Sequence, residues 1–157
     1  GVGLVGSEMC IRDSLNPAPA AEIDESLFSM IDYFTPNETE ASFYVDHNVE
    51  THEDAEKAAM QLLEKGIKNV VITLGEKGAF FANSEEKFSL PIANLSNPVV
   101  DTTGAGDAFN AGFAAALTEG QNIKDALKFA SATAGLSTTK IGTANSMPSR
   151  EEIDKLL

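Results

Sequence analysis

Asp107 stands directly behind the run Gly104-Ala105-Gly106, at the start of a pattern in which Phe109, Phe113, Ala116 and Leu117 recur at helical spacing. A glycine-rich turn at a helix start leaves backbone N–H groups unpaired and gathers the positive end of the helix dipole at one point. Such a place attracts an anion, most often a phosphate. Glycine at 104 and 106 lets the chain turn sharply and lets a ligand come close to the backbone. A carboxylate in the same first turn would repel that anion, unless Asp107 takes the proton from a hydroxyl that attacks phosphorus. The competing reading is an ordinary capped helix, since the dipole alone favours Asp in a first turn. The chain has no G-x-x-x-x-G-K-[ST] motif and no complete G-x-G-x-x-G, so neither a P-loop nor a dinucleotide fingerprint is present.

Two other segments carry chemistry-bearing residues on loops. Asn37 and Glu40 follow the apolar run from Met30 to Thr35, and both Thr35-x-x-Glu38 and Asn37-x-x-Glu40 read as capping boxes with Pro36 suited to a first helical turn. Thr73-Leu74-Gly75-Glu76-Lys77-Gly78 joins two apolar runs, and its two glycines suit a plain hairpin turn as well as a ligand loop. Lys77 reads as a solvated turn residue, and His47 and His52 as solvated surface histidines.

The elements that must position these residues follow from hydrophobic patterning. A short helix is expected over 22–30 and a strand over 30–35. A helix from about Glu53 to Lys65 carries Ala55, Ala58, Ala59, Leu62 and Leu63 on one face, with Gly66 as its stop. Val70 to Leu74 is an unbroken apolar run, the mark of a strand covered on both faces. Strand, long crossover, strand implies parallel pairing. Ala79 to Ala82 then turns back antiparallel, with Lys87 to Leu90 beside it. Helices over about 105–118 and 122–139, and one from Ser149, close the chain. The expectation is an α/β fold with a layered α/β/α arrangement and a mostly parallel sheet. In such sheets ligands bind beyond the carboxyl ends of the strands, where the loops 35–40, 74–78 and 101–106 are expected.

The blocks DTTGAGDAFNAGF (101–113), LNPAPA (15–20), TPNETEA (35–41), ITLGEKGAF (72–80) and GTANSMPSREEI (142–153) together resemble the ribokinase-like, or phosphofructokinase B, family of sugar kinases. The resemblance runs over nearly all of residues 15–157. It implies a ribokinase-like fold truncated at its N-terminus, and ATP-dependent phosphorylation of a sugar's primary hydroxyl, D-ribose giving ribose 5-phosphate. Kinases for fructose, a fructose phosphate or a nucleoside share the same motifs, and an inactive nucleotide-binding module is the other class in view. The resemblance makes Asp107 the catalytic base, in contact with the sugar substrate, and the Gly104, Ala105 and Gly106 amides an anion hole. It assigns ATP binding to Asn37, Thr73, Leu74, Gly75, Glu76, Lys77, Gly78, Gly106, Asp107 and Ser131. Glu40 would organise Mg²⁺ through water. Asp101, Thr103, Ser137, Lys140, Gly142 and Ser146 align with a K⁺ site. Ser131 stands where the family often places His or Asn, and Thr143-Ala144-Asn145 replaces the more usual A-Q-P.

Composition bounds the partners. A formal charge of −13 over 157 residues disfavours nucleic acid and anionic membranes, and requires a polyphosphate to be held by local features and metal ions. No apolar run approaches a membrane span. The single cysteine, Cys10, suits a reducing cytoplasm. Residues 1–14 read as a foreign leader containing SEMCIRDS, with the kinase portion over 15–157. About half of a family chain, with its sugar-recognition residues and dimer-forming lid, is expected elsewhere. The 157-residue piece is therefore expected to bind sugar poorly by itself, and the whole protein to be a homodimer.

Overall fold

The computed structural model describes residues 13–157; most of the proposed leader, with Cys10, lies outside them. Five strands form one sheet in the order β1 (Ser14–Leu15), β2 (Tyr33–Phe34), β3 (Asn69–Thr73), β4 (Ala79–Asn83), β5 (Lys87–Leu90). β1, β2 and β3 run parallel, while β4 and β5 return antiparallel. The sheet is therefore mixed, parallel where helical crossovers join strands and antiparallel where a short turn does. Ser14–Leu15 form a short edge strand paired in parallel with Tyr33–Phe34. Just before it, the Asp13 carbonyl accepts hydrogen bonds from the Asp32 and Tyr33 N–H groups.

Alternation along the strands sends side chains to two separate cores. Phe34, Val70, Ile72, Phe80 and Ala82 meet α1 (Glu38–Tyr44) and α2 (His52–Glu64) through Ala41, Tyr44, Ala55, Ala58, Ala59 and Leu62. Tyr33, Val71, Ala79 and Phe81 point the other way. They pack against α3 (Ala105–Thr118) and α4 (Ile123–Ser137), with Ile153 of α5 (Arg150–Leu156). Helices on both faces explain why the middle of β3, Val70 to Ile72, is unbroken apolar sequence: it has no wet side. This is the α/β/α layering read from the sequence. Each fully buried Val, Ile, Leu or Phe contributes about 1.5–3 kcal/mol, so each face is held by several large side chains.

The sequence pattern marks the cap of helix α1 but not the helix body. Of the two possible boxes the structure uses Asn37-x-x-Glu40: Asn37 Oδ1 accepts from the Glu40 N–H and Glu40 Oε2 from the Asn37 N–H, both at 2.9 Å. Thr35 is instead part of the β2 exit, its N–H donating to the Leu15 carbonyl. The segment expected as a helix over 22–30 is a 3₁₀ turn over Glu25–Met30, capped by Asp24. No helix among the described residues is long and apolar enough to cross a membrane.

Candidate functional site

The β2 and β3 exits lie side by side. Asn37 and Thr73 form an isolated parallel bridge, and the Thr73 N–H donates to the Pro36 carbonyl at 3.0 Å. The parallel pairing of β2 with β3 thus carries on past the strands and delivers the start of α1 beside the loop Leu74–Gly78. A Cβ at Gly75 would lie 3.5 Å from Glu38 Oε1, so the two loops touch. Leu74 is buried as an anchor, whereas Gly75, Glu76 and Lys77 are exposed in a 3₁₀ turn. Gly78 has φ +94°, and a Cβ there would overlap the Leu90 carbonyl oxygen. Only glycine meets both demands.

Two side chains tether this turn to the segment before and at the start of α2: Lys77 from within the motif and His52 from outside it. Lys77 Nζ donates to the Glu50 carbonyl at 2.7 Å, and His52 Nε2 lies 2.9 Å from the Lys77 carbonyl. His52 Nδ1 lies 3.1 Å from Ser89 Oγ, so both ring nitrogens are engaged. With a carbonyl as partner, Nε2 must be the protonated nitrogen that donates. His47 is engaged too, with Asp46 Oδ1 and the Asp54 carbonyl. The reading of both histidines as simply solvated is corrected: each joins separate segments. The partners of His52 lie 25 and 37 residues away, so no local pattern could reveal them.

The third loop is built differently. Gly104 is in the left-handed region at φ +77° and caps α3 without any side-chain hydrogen bond. The Ala105 N–H donates to the Thr102 carbonyl at 3.2 Å, and the first regular helical bond runs from the Ala108 N–H to the Gly104 carbonyl. The N–H groups of Gly104, Gly106 and Asp107 make no hydrogen bond among the described residues. The donor set differs from the expected Gly104-Ala105-Gly106 amides, because the Ala105 N–H is spent closing the turn. Space is open in front: a Cβ at Gly106 would meet nothing within 4 Å. Asp107 is exposed, and its carboxylate has no partner among the described residues. On the other side of the helix Phe109 and Phe113 are buried, with Phe113 edge-on to Tyr33 of β2 at 5.2 Å. That packing turns the Asp107 side outward.

Asp101 ties this loop to the segment after α4. Its Oδ1 accepts from the Thr103 N–H at 2.9 Å and its Oδ2 from the Gly142 N–H at 3.0 Å. The Thr103 hydroxyl, then the Gly142 and Thr103 N–H groups, hold its carboxyl down at about 2. The Val100 and Asp101 N–H groups donate to the Thr138 carbonyl, and Thr143 packs on Gly104. Ser137 and Ser146 are buried nearby in sequence, their hydroxyls donating to the Ala134 and Thr143 carbonyls. Lys140 turns its ammonium to Glu152 at 3.0 Å. Hydroxyl, carboxylate and carbonyl oxygens of this kind suit a hard monovalent cation, and Lys140 could join only through its carbonyl.

Glu40 is nearly buried and commits Oε2 to its cap, leaving Oε1 to reach outward, a geometry compatible with a water-mediated Mg²⁺. Among the described residues no group of three His, Cys, Asp or Glu side chains converges to hold a metal. Ser131 stands within α4, and its Oγ accepts from the Ala93 N–H at 3.2 Å, which serves the packing of the 91–100 segment.

Residues 5–150 match the sequence profile described as pfkB family carbohydrate kinase. Ribokinase of Haemophilus influenzae is 44% identical over 142 residues, which covers 90% of this chain and 46% of the relative. Deoxyribokinase of Salmonella typhi is 37% identical over 153 residues, covering 97% of this chain and 49% of the relative. The structure of Arabidopsis thaliana ribokinase complexed with ribose and ATP superposes with a TM-score of 0.80 at 38% identity, over 85% of this chain and 43% of that one. The chain spans about half the length of the curated relatives it matches.

Proposed function

The chain belongs to the pfkB family of carbohydrate kinases, and from that membership we propose that it is the nucleotide-binding portion of an ATP-dependent sugar kinase. The acceptor is the primary hydroxyl of a pentose, D-ribose in the first place. Deoxyribose is the second reading, favoured by the deoxyribokinase at 37% identity. The observation that carries the proposal is the start of α3: unpaired N–H groups at Gly104, Gly106 and Asp107 beside an exposed, unpartnered carboxylate.

Each part has a physical task. The free amides and the helix dipole neutralise charge on the phosphoryl group in flight, and they are held ready before the reaction begins. The Asp107 carboxylate accepts the sugar hydroxyl's proton. A carboxylate is a weak base, but phosphoryl transfer through a loose transition state needs little early deprotonation. Thr73 to Gly78 lies along the nucleotide phosphates, with Asn37 beside it. Mg²⁺, when bound, supplies charge neutralisation at the phosphates; Glu40 would hold it through water. K⁺, when bound, would be held by Asp101, Thr103, Ser137, Lys140, Gly142 and Ser146, and would strengthen the field at the anion hole. Ser131 near the adenine, cytoplasmic location and a homodimer in the whole protein belong to the same reading.

The test is a coupled assay of ADP release by a protein of the relatives' length carrying this chain, against ribose, deoxyribose, fructose, fructose phosphates and nucleosides. Turnover of ribose or deoxyribose well above the others supports the reading. A protein that binds ATP yet phosphorylates none of them refutes it.

A further inference from the structure

Asn110 lies on α3 one turn after Gly106, and its Nδ2 donates to the Gly106 carbonyl at 3.0 Å. Its Oδ1 is buried and accepts no hydrogen bond among the described residues. A buried carboxamide oxygen without a donor is costly, and an apolar side chain of similar size would avoid that cost. Packing therefore does not account for asparagine at this position. Its one polar engagement, the bond to Gly106, is left to account for it.

The Gly106 carbonyl and the Asp107 N–H are two ends of one planar peptide group. In a regular helix that carbonyl already accepts from the backbone N–H of residue 110. A second donor on the same oxygen fixes the tilt of the peptide plane and draws electron density toward oxygen, which leaves the N–H at the other end more positive. That N–H is one of the unpaired donors at the start of α3, and it belongs to the residue whose carboxylate is exposed beside it. A small rotation of this peptide would misdirect the donor and the carboxylate together.

We propose that Asn110 is a positioning residue for phosphoryl transfer: its carboxamide orients and polarises the Gly106–Asp107 peptide through the Gly106 carbonyl. This rests on the kinase reading of Asp107 and its neighbouring amides. The peptide acts on the phosphoryl group as it passes between nucleotide and sugar and not on the resting nucleotide, so the role reads out in kcat and not in the KM for ATP.

Threonine and valine have the same shape, and only threonine can donate its hydroxyl to the carbonyl four residues back in a helix. The experiment compares Asn110→Thr and Asn110→Val in a protein of the relatives' length, with thermal unfolding followed alongside. Asn110→Val is expected to lower kcat about tenfold with the KM for ATP within about twofold, and Asn110→Thr to recover most of the loss. Equal kcat for the two variants overturns the proposal, as does a rise in KM for ATP with kcat unchanged. If the β-branched pair fails to fold, Asn110→Ser against Asn110→Ala asks the same question without β-branching. An unsubstituted protein that transfers no phosphoryl group to any sugar overturns the kinase reading, and this inference with it. An active protein with indistinguishable variants overturns the inference alone.

Discussion

Asp101 Oδ2 accepts a hydrogen bond from the Gly142 N–H at 3.0 Å, joining residues 41 positions apart in the chain. The bond closes the loop ahead of α3 onto the loop that follows α4. With Oδ1 on the Thr103 N–H, one carboxylate fixes the entry to the glycine turn at Gly104 and the backbone facing it.

Removing that charge is expected to loosen both loops. The native carboxyl is held at about 2 against an ordinary 3.8, so its contribution to stability is complete above 3.8 and fades as pH falls toward about 2. Asp101→Asn should therefore lower the unfolding midpoint at pH 6, and the difference from the unsubstituted protein should shrink as pH approaches 2. A difference that persists unchanged into acid would show that the carboxylate's charge is not responsible. The same change should raise the K⁺ concentration needed for half-maximal activation, measured by titrating KCl.

Asp107→Asn keeps the side chain's shape and removes its basicity. Transfer to sugar should fall by about 10²–10⁴-fold, the usual worth of a positioned base. Binding of ATP, followed by calorimetry, should be retained or slightly tightened as a negative charge leaves the anion site. A rate within threefold of the parent's would assign the proton to another acceptor.

Gly78→Ala confronts both the positive φ of +94° and the Leu90 carbonyl. Strain and backbone overlap together should cost more than about 2 kcal/mol and displace the turn at Gly75–Lys77. Denaturant unfolding measures the first effect and ATP affinity the second. A mutant as stable as the parent would mean that β5 yields easily.

His52→Ala removes the hydrogen bond to the Lys77 carbonyl and the contact with Ser89. Loss of one such hydrogen bond is worth about 1 kcal/mol, so ATP affinity should weaken by about fivefold if the bond orders the phosphate loop. His52→Gln, whose amide can donate to the same carbonyl, should restore part of it. Unchanged affinity in His52→Ala would make the tether irrelevant to nucleotide binding.

Much of the architecture was legible in the chain itself. β3 announced itself through unbroken apolarity, α2 through its alanine and leucine stripe and Gly66, and the start of α3 through Gly104 to Asp107. These signals are local: each rests on the conformational preferences of a few neighbouring residues and on a period set by backbone geometry. β2 falls inside the apolar run over 30–35, though only Tyr33–Phe34 pair; β1, two residues long, carries almost no such signal, and α1 spans only Glu38–Tyr44, so its cap was more legible than its body.

Local sequence also set the pieces of the site: an anion-attracting turn with a carboxylate in it, two loops bearing Asn37, Glu40 and Thr73 to Gly78, and the motifs that mark the family. It left open whether Asn37 and Glu40 form a cap, which they do, and how these pieces meet. Folding decided that the Ala105 N–H closes a turn while the Gly106 and Asp107 N–H groups stay free. It also set His52 against Lys77, Asp101 against Gly142, and Asn110 on the Gly106 carbonyl with its oxygen unpaired. The reason is physical. A propensity acts within a few residues, whereas a hydrogen bond between residues 25 or 41 positions apart exists only after two helical layers have closed on one sheet.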